Sequence, residues 1–270
     1  MDAVVSALRT AGCVFAEDEA RLLMSAAQSP ADLTAMVDSR VAGRPLEQVL
    51  GWVEFCGLRI AVEPGVFVPR RRTEFLVDQA AILARLGADP PRRAAGGRKS
   101  VVVVDLCCGS GALGAALAAR VDRIELYAAD IDPAAVRCAQ RNLADLGGRV
   151  FEGDLFGPLP AALRDRIEVL LANTPYVPSE EVRLLPPEAR LHEPLVALDG
   201  GADGLAVARR VLAAAPGWLA PGGHVLIETS ERQAPVLAES VSSKGLLPRV
   251  ARSDELNATV VIGTRPARPG

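Results

Sequence analysis

Four consecutive valines leading into an aspartate and a glycine-rich turn, Val101-Val-Val-Val-Asp105-Leu-Cys-Cys-Gly109-Ser-Gly111-Ala-Leu-Gly114, constrain this chain more than any other feature. An apolar run of that length, closed by glycines, reads as a buried strand feeding a helix. Glycines in such a turn let a ligand approach the backbone, and the helix N-terminus behind them offers unpaired N–H groups. Gly109 to Gly114 also satisfies GxGxxG, the dinucleotide fingerprint. That match alone leaves NAD and S-adenosylmethionine both open.

The elements around the turn set the fold class. A helix is expected over Ala112–Arg120, a strand over Ile124–Ala129, a helix over Pro133–Leu146 and a short strand at Val150–Phe151, with further strands at Ile167–Ala172 and His224–Thr229. Such alternation predicts a Rossmann-like α/β domain, a parallel sheet with helices on both faces. Ahead of it, Val4, Val5, Leu8, Ala20, Leu22, Leu23 and Ala26 recur at helical spacing, and Ser29-Pro30-Ala31-Asp32 reads as a turn entering another helix. Leu58, Ile60 and Val62 alternate before Pro64-Gly65, the pattern of a hairpin, and Thr73 is the expected N-cap of a helix reaching Leu86. The Pro/Gly-rich stretch 87–99 reads as an exposed loop. The expected division is a small helical domain over 1–50, a β-hairpin linker over 51–72 and the Rossmann-like domain over 73–270.

The chain has 270 residues, half of them hydrophobic, and a net charge of −3, a balance unsuited to coating nucleic acid. Arg70-Arg71-Arg72 is its longest basic cluster, either solvated surface or an anion contact. Five cysteines without a CxxC pair fit reduced thiols, and two histidines make a histidine-rich metal site unexpected, so no metal is assigned. With no signal-like start and no 18-residue apolar span, the expected location is the cytoplasm, away from membranes.

Two details favour S-adenosylmethionine. Asp105, four residues before Gly109, would repel a pyrophosphate but suit a sulfonium and an amino group. Asp130, ending the next strand, can accept both ribose hydroxyl hydrogens, and Asp154, after the third strand, could meet the adenine amine. Each aspartate also reads as a helix cap or turn residue, but three at successive strand ends form a pattern.

Asn173-Thr174-Pro175-Tyr176 follows the apolar strand Val169–Ala172, so it lies at a carboxyl strand end, where open α/β sheets bind ligands. An amide or exocyclic amine is a poor nucleophile because its lone pair is delocalised. To attack a methyl group, the nitrogen must be held in line while acceptors bind its hydrogens. The Asn173 side-chain oxygen and the Thr174 backbone carbonyl are two such acceptors, and Tyr176 can cover the planar group. Asn173 and Tyr176 are therefore the candidate catalytic residues, and Asn173 through Tyr176 the candidate substrate site.

In these residues the chain resembles the HemK/PrmC family of protein-(glutamine-N5) methyltransferases over roughly residues 43–235. The likeness includes Gly43-Arg-Pro-Leu-Glu-Gln-Val-Leu-Gly51, Glu54-Phe55-Cys-Gly-Leu58, Pro64-Gly65-Val-Phe-Val-Pro-Arg70 with Thr73-Glu74, the glycine turn, Asn-Thr-Pro-Tyr, Glu193-Pro194, Ala197-Leu198-Asp-Gly-Gly201 and Leu219-Ala-Pro-Gly-Gly223. It implies a class I S-adenosylmethionine-dependent methyltransferase with an N-terminal helical domain that helps recognise its substrate. The substrate it implies is the glutamine of a Gly-Gly-Gln loop in a peptide-chain release factor, or another translation-related protein. Carried over, Asn173 to Tyr176 would cradle the glutamine amide, while the 107–111 turn with Cys107, Gly109 and Gly111, Asp130 and Leu155 would line the cofactor pocket; the strand-end reading adds Asp105 and Asp154 to that pocket, and Asn173 is expected to face cofactor as well as substrate. The chain departs from the family at Thr174, where the usual tetrapeptide has its first proline, and at Cys107, where a glycine is usual. It also carries Arg71 in place of the second proline of Pro-Arg-Pro-x-Thr-Glu, and its segment before Gly43 is short.

Three other readings stand beside this one: a nucleic-acid base N-methyltransferase using the same Asn-Pro-aromatic chemistry, an NAD-dependent oxidoreductase, and a non-catalytic binding module that keeps the fold.

Overall fold

The computed structural model describes residues 1–87 and 100–267. The expected loop at 87–99 therefore lies outside the described residues, apart from Gly87, which ends a helix. Four helices, α1 (Asp2–Thr10), α2 (Ala16–Ala26), α3 (Pro30–Val41) and α4 (Leu46–Leu50), form the N-terminal unit. They close on a small core of their own, in which Leu8, Ala16, Ala20 and Leu23 are buried. The Ser29 side chain accepts from the Asp32 N–H at 3.1 Å and Pro30 starts α3, so the turn into α3 is set by capping chemistry.

Strands β1 (Trp52–Phe55) and β2 (Leu58–Ala61) pair antiparallel, and Cys56 and Gly57 turn between them with φ of 52° and 75°. A single 3-10 turn, Arg71–Thr73, then leads into α5 (Glu74–Gly87). Thr73 ends that turn instead of capping α5: its backbone N–H donates to the Arg70 carbonyl, and its hydroxyl faces the Glu228 carboxyl.

The main domain alternates as its sequence pattern requires: β3 (Val101–Leu106), α6 (Ala112–Ala118), β4 (Ile124–Asp130), α7 (Pro133–Leu143), β5 (Arg149–Glu152) and β6 (Ile167–Ala172). Short helices α8 (Pro187–His192) and α9 (Leu195–Leu198) follow, then α10 (Ala206–Ala214), β7 (Leu219–Thr229), α11 (Ala234–Ser243), β8 (Leu247–Ser253) and β9 (Ala258–Thr264). The sheet runs β5-β4-β3-β6-β7-β9-β8. Every residue of β3 is buried because helices cover both faces. Val101 and Val103 join the core with Leu76, Leu113 and Leu117, while Val102, Val104 and Leu106 join the core with Val211 and Leu237.

The five strands expected from the sequence, β3 to β7, run parallel, and two further strands make the sheet mixed: β9 pairs antiparallel with both β7 and β8. From β7 the chain crosses through α11 to β8 at the sheet edge and returns by a hairpin as β9 between them. Strand β8, at the sheet edge, exposes most of its side chains and has a proline, so its sequence lacks a strand's apolar pattern.

Candidate active site

The chain leaves β3 toward β4 and β5 on one side of the sheet and returns to β6 and β7 on the other, so a crevice opens where the order reverses. Register places the key residues there. Leu106 pairs with Ala129 on one side and with Ala172 on the other. The turn beginning at Cys107, the end of β4 at Asp130 and the residue after β6, Asn173, therefore meet at one rim. A cavity of about 460 Å³ opens over this rim, within the range of small-molecule sites. Its lining includes Phe55, Phe67 and Pro69 together with residues between Leu185 and Leu198.

At the Asp130 end the walls are largely backbone. Asp130 Oδ2 accepts from the Gly109 N–H at 2.8 Å, and Oδ1 from the Asp132 N–H at 2.9 Å. Each oxygen keeps a lone pair for a ligand hydroxyl. Burial raises the Asp130 pKa, opposed by these N–H groups. Gly109, at φ 54°, has open space where a side chain would begin, so a ligand can lie against its backbone. The buried Ser110 hydroxyl beside it has no protein partner. A carboxylate with lone pairs to spare, an open glycine and an unpaired buried hydroxyl on one cavity wall suit the ribose and methionine parts of S-adenosylmethionine.

Other residues expected at the cofactor take different positions. Cys107 lines the cavity at φ 55°, and burial pushes its thiol far above the ordinary range, so it presents a neutral side chain. Asp105 lies behind the turn instead of inside the cavity. It is fully buried, and its Oδ2 accepts from the Gly114 N–H at 3.1 Å, bracing the turn onto α6. Burial pushes its pKa up to about 7, and that N–H opposes the rise. Gly111 also sits beneath the cavity: a Cβ there would come 3.2 Å from Ala139 and Leu143, so its smallness serves the packing of α6 against α7. Asp154 is turned to the surface, paired with Arg210, and lies outside the cavity lining. Leu155, at φ 49°, packs at the edge of the second core, outside the lining.

At the other end Asn173, Thr174, Pro175 and Tyr176 all line the cavity. The turn is held from behind by two glycines. A Cβ on Gly200 would fall 2.6 Å from the Pro175 carbonyl oxygen, and one on Gly204 would fall 2.2 Å from that of Tyr176. Gln233, buried beneath, donates to the Tyr176 and Asp203 carbonyls, both at 2.9 Å.

Long side chains complete this end. Arg70 reaches both oxygens of Glu193 at 2.6 Å, and that carboxyl also accepts from the Val68 N–H. This clasp ties the segment before α5 to the wall containing α8 and α9. Arg72 bonds the Tyr176 hydroxyl and lies 3.4 Å from Glu228 Oε1. The arginine cluster thus splits: Arg70 and Arg72 make buried or half-buried pairs. Sequence reasoning missed Glu228 and Gln233. Glu228 lies near the carboxyl end of β7, so the strand-end rule that picked out Asn173 would have flagged it.

The N-terminal unit touches this wall directly, through Arg40 to Glu188 at 3.2 Å and Gln48 to the His192 carbonyl. Among the described residues no cluster could hold a metal ion, and no helix is long and apolar enough to cross a membrane.

The family model described as Methyltransferase small domain matches residues 59–185. The chain is 36% identical over 242 residues to a release factor glutamine methyltransferase of Geobacter sulfurreducens, covering 88% of this chain and 80% of that protein. It is 35% identical over 197 residues to a 4-amino-L-phenylalanine/4-methylamino-L-phenylalanine methyltransferase of Streptomyces pristinaespiralis, covering 73% of this chain and 65% of that one. A solved T. thermophilus 16S rRNA methyltransferase, in complex with AdoMet and guanosine, shares the fold at TM-score 0.53 and 20% identity, covering 79% of this chain and 49% of that one. With a Rossmann-like sheet, a rim suited to S-adenosylmethionine and this identity over most of its length, the chain belongs to the release factor glutamine methyltransferase family.

Proposed function

We propose that this chain methylates the N5 amide nitrogen of a glutamine in a protein, most specifically in the Gly-Gly-Gln loop of a peptide-chain release factor. The observation that carries this reading is the Asn173–Tyr176 turn, which lines the same cavity as Asp130 and the 107–109 turn. S-adenosylmethionine, when bound, supplies a methyl group on a sulfonium that a neutral nitrogen can attack.

The chain's own residues do the rest. The Asn173 side-chain oxygen and the Thr174 carbonyl accept the two amide hydrogens, which fixes the nitrogen's direction and offsets the positive charge that grows on it. Tyr176 covers the amide plane. Its phenol, pushed up to about 12 by burial, stays protonated at neutral pH. After transfer the nitrogen is strongly acidic and loses its proton without a dedicated base. Replacing proline by Thr174 keeps the backbone carbonyl this step needs. Asp130 takes the ribose hydroxyls, with Cys107 and Gly109 against the cofactor. Helices α1–α4 help seat the protein substrate beside the wall they contact, and the reaction runs in the cytoplasm.

Purified protein, methyl-labelled S-adenosylmethionine and a lysate from a host lacking the gene test this, with release factor added and protein and RNA separated afterwards. Label on release-factor glutamine is expected. Label confined to RNA, or to a free aromatic amino acid of the kind the Streptomyces relative is named for, overturns the substrate assignment.

A further inference from the structure

We propose that Arg72 and Glu228 are positioning residues that lock the Tyr176 ring over the group being methylated. The inference rests on the amide-holding role proposed for the Asn173–Tyr176 turn and adds residues that act on that turn from outside it.

Three segments far apart in sequence meet at one phenol. Arg72 belongs to the 3-10 turn before α5, Tyr176 to the turn after β6, and Glu228 to the end of β7. The Arg72 guanidinium bonds the Tyr176 hydroxyl, its carbon lies 5.6 Å from the ring centroid, and its Nε stands 3.4 Å from Glu228 Oε1. The Tyr176 hydroxyl donates to that same carboxylate oxygen at 3.4 Å. Each group therefore touches the other two. Swinging the ring away from the cavity breaks its contacts to both members of an ion pair.

The cost of burying Glu228 argues that the arrangement has a purpose. Its side chain is 3% exposed, and an acid so placed is stabilising only when its partners are retained. Those partners are Arg72 and Tyr176, both cavity-lining residues and both on Oε1; the Thr73 hydroxyl lies beside the carboxyl, but neither it nor Oε2 makes a hydrogen bond. Burial raises the carboxyl's pKa, and the same partners pull it down. Meanwhile Gln233 holds the Tyr176 carbonyl, so backbone and hydroxyl are anchored from opposite sides and the ring's tilt is left with little freedom.

The test compares Tyr176→Phe, Glu228→Gln and the double variant in steady-state methylation, alongside ring NMR of tyrosine-labelled protein. The chain has only two tyrosines, so Tyr127 serves as the internal reference. Each single change should lower kcat about 10-fold, the loss of one hydrogen bond to a charged group, with S-adenosylmethionine affinity unchanged. The double variant should be no slower than the slower single, since both remove one unit. Glu228→Gln and Arg72→Met should shift and broaden the Tyr176 signals while leaving Tyr127 alone, and Arg72→Lys should restore part of the rate. Wild-type kcat in Tyr176→Phe, multiplicative losses in the double variant, or unmoved Tyr176 signals in Glu228→Gln would each overturn the proposal. The NMR arm needs no substrate, so it stands or fails apart from the glutamine assignment. Tyr176→Phe keeps the ring's packing and gives an answer even if Glu228→Gln unfolds.

Discussion

The Asp130 end of the cavity is built from backbone turns at adjacent strand ends, whereas the Tyr176 end is assembled from long side chains arriving from residues 70–73, 193 and 228. At the first end a carboxylate is held by two N–H groups within two strand–turn units. At the second, ion pairs span 123 and 156 residues of sequence. The difference separates what a fold supplies from what a substrate demands. A parallel sheet offers the same rim to any ligand at its switch point. The side chains over that rim choose the group that reacts, and they are free to come from anywhere in the chain.

If that division is right, damage to the two ends should separate in kinetics. Asn173→Ala has the largest expected effect, a fall in kcat of about 10²–10³ from loss of one preorganised acceptor, with cofactor affinity nearly unchanged in equilibrium titration. A drop in affinity of similar size would merge the two ends. At the other end, Asp130→Ala should weaken S-adenosylmethionine binding by about 10–100-fold, as expected for hydrogen bonds to a charged group. Asp154→Ala should leave it unchanged, since that carboxylate pairs with Arg210 at the surface. Calorimetry on both variants sharpens the comparison, and equal losses would return Asp154 to the site.

A smaller effect is expected behind the Tyr176 end. Gly204→Ala meets the Tyr176 carbonyl and a φ of +77°, and should cost about 1–3 kcal/mol in denaturant melts. A separate effect, read against pH, belongs to Asp105. Burial lifts its folded pKa to about 7 from the ordinary 3.8, so folding favours its protonated form. The stability this adds is complete below the unfolded value and is lost as pH rises toward 7. Asp105→Asn should remove that part of the slope, and parallel stability curves for the two proteins between pH 4 and 8 would contradict it.

The same contrast explains what could be read from the sequence. Val101–Leu106, the 107–111 turn, Asp130 and Asn173 are local patterns, each a strand followed by a loop of characteristic residues, and chain order alone brings them to one rim. Asp105 and Asp154 show the limit: sequence position puts both near strand ends, but only the fold shows that one braces the turn from beneath and the other pairs with Arg210 at the surface. Arg72 and Gln233 carry no local signature of this role, because their meaning lies in partners far along the chain, whereas Glu228 stands at a strand end and Glu193 in a recognisable Glu-Pro pair. Strand β8 escaped because an edge strand needs no apolar outer face, and its polar, proline-containing sequence shows none, whereas Val260, Val261 and Ile262 of β9 form a buried apolar run that could have been read.

The central claim concerns one nitrogen atom. Release factor incubated with this protein and S-adenosylmethionine, then digested and fragmented in a mass spectrometer, should carry one added methyl on the glutamine of its Gly-Gly-Gln loop. The Asn173→Ala variant should add almost none over the same interval. A methyl group elsewhere on the factor, or equal yield from Asn173→Ala, would contradict the account.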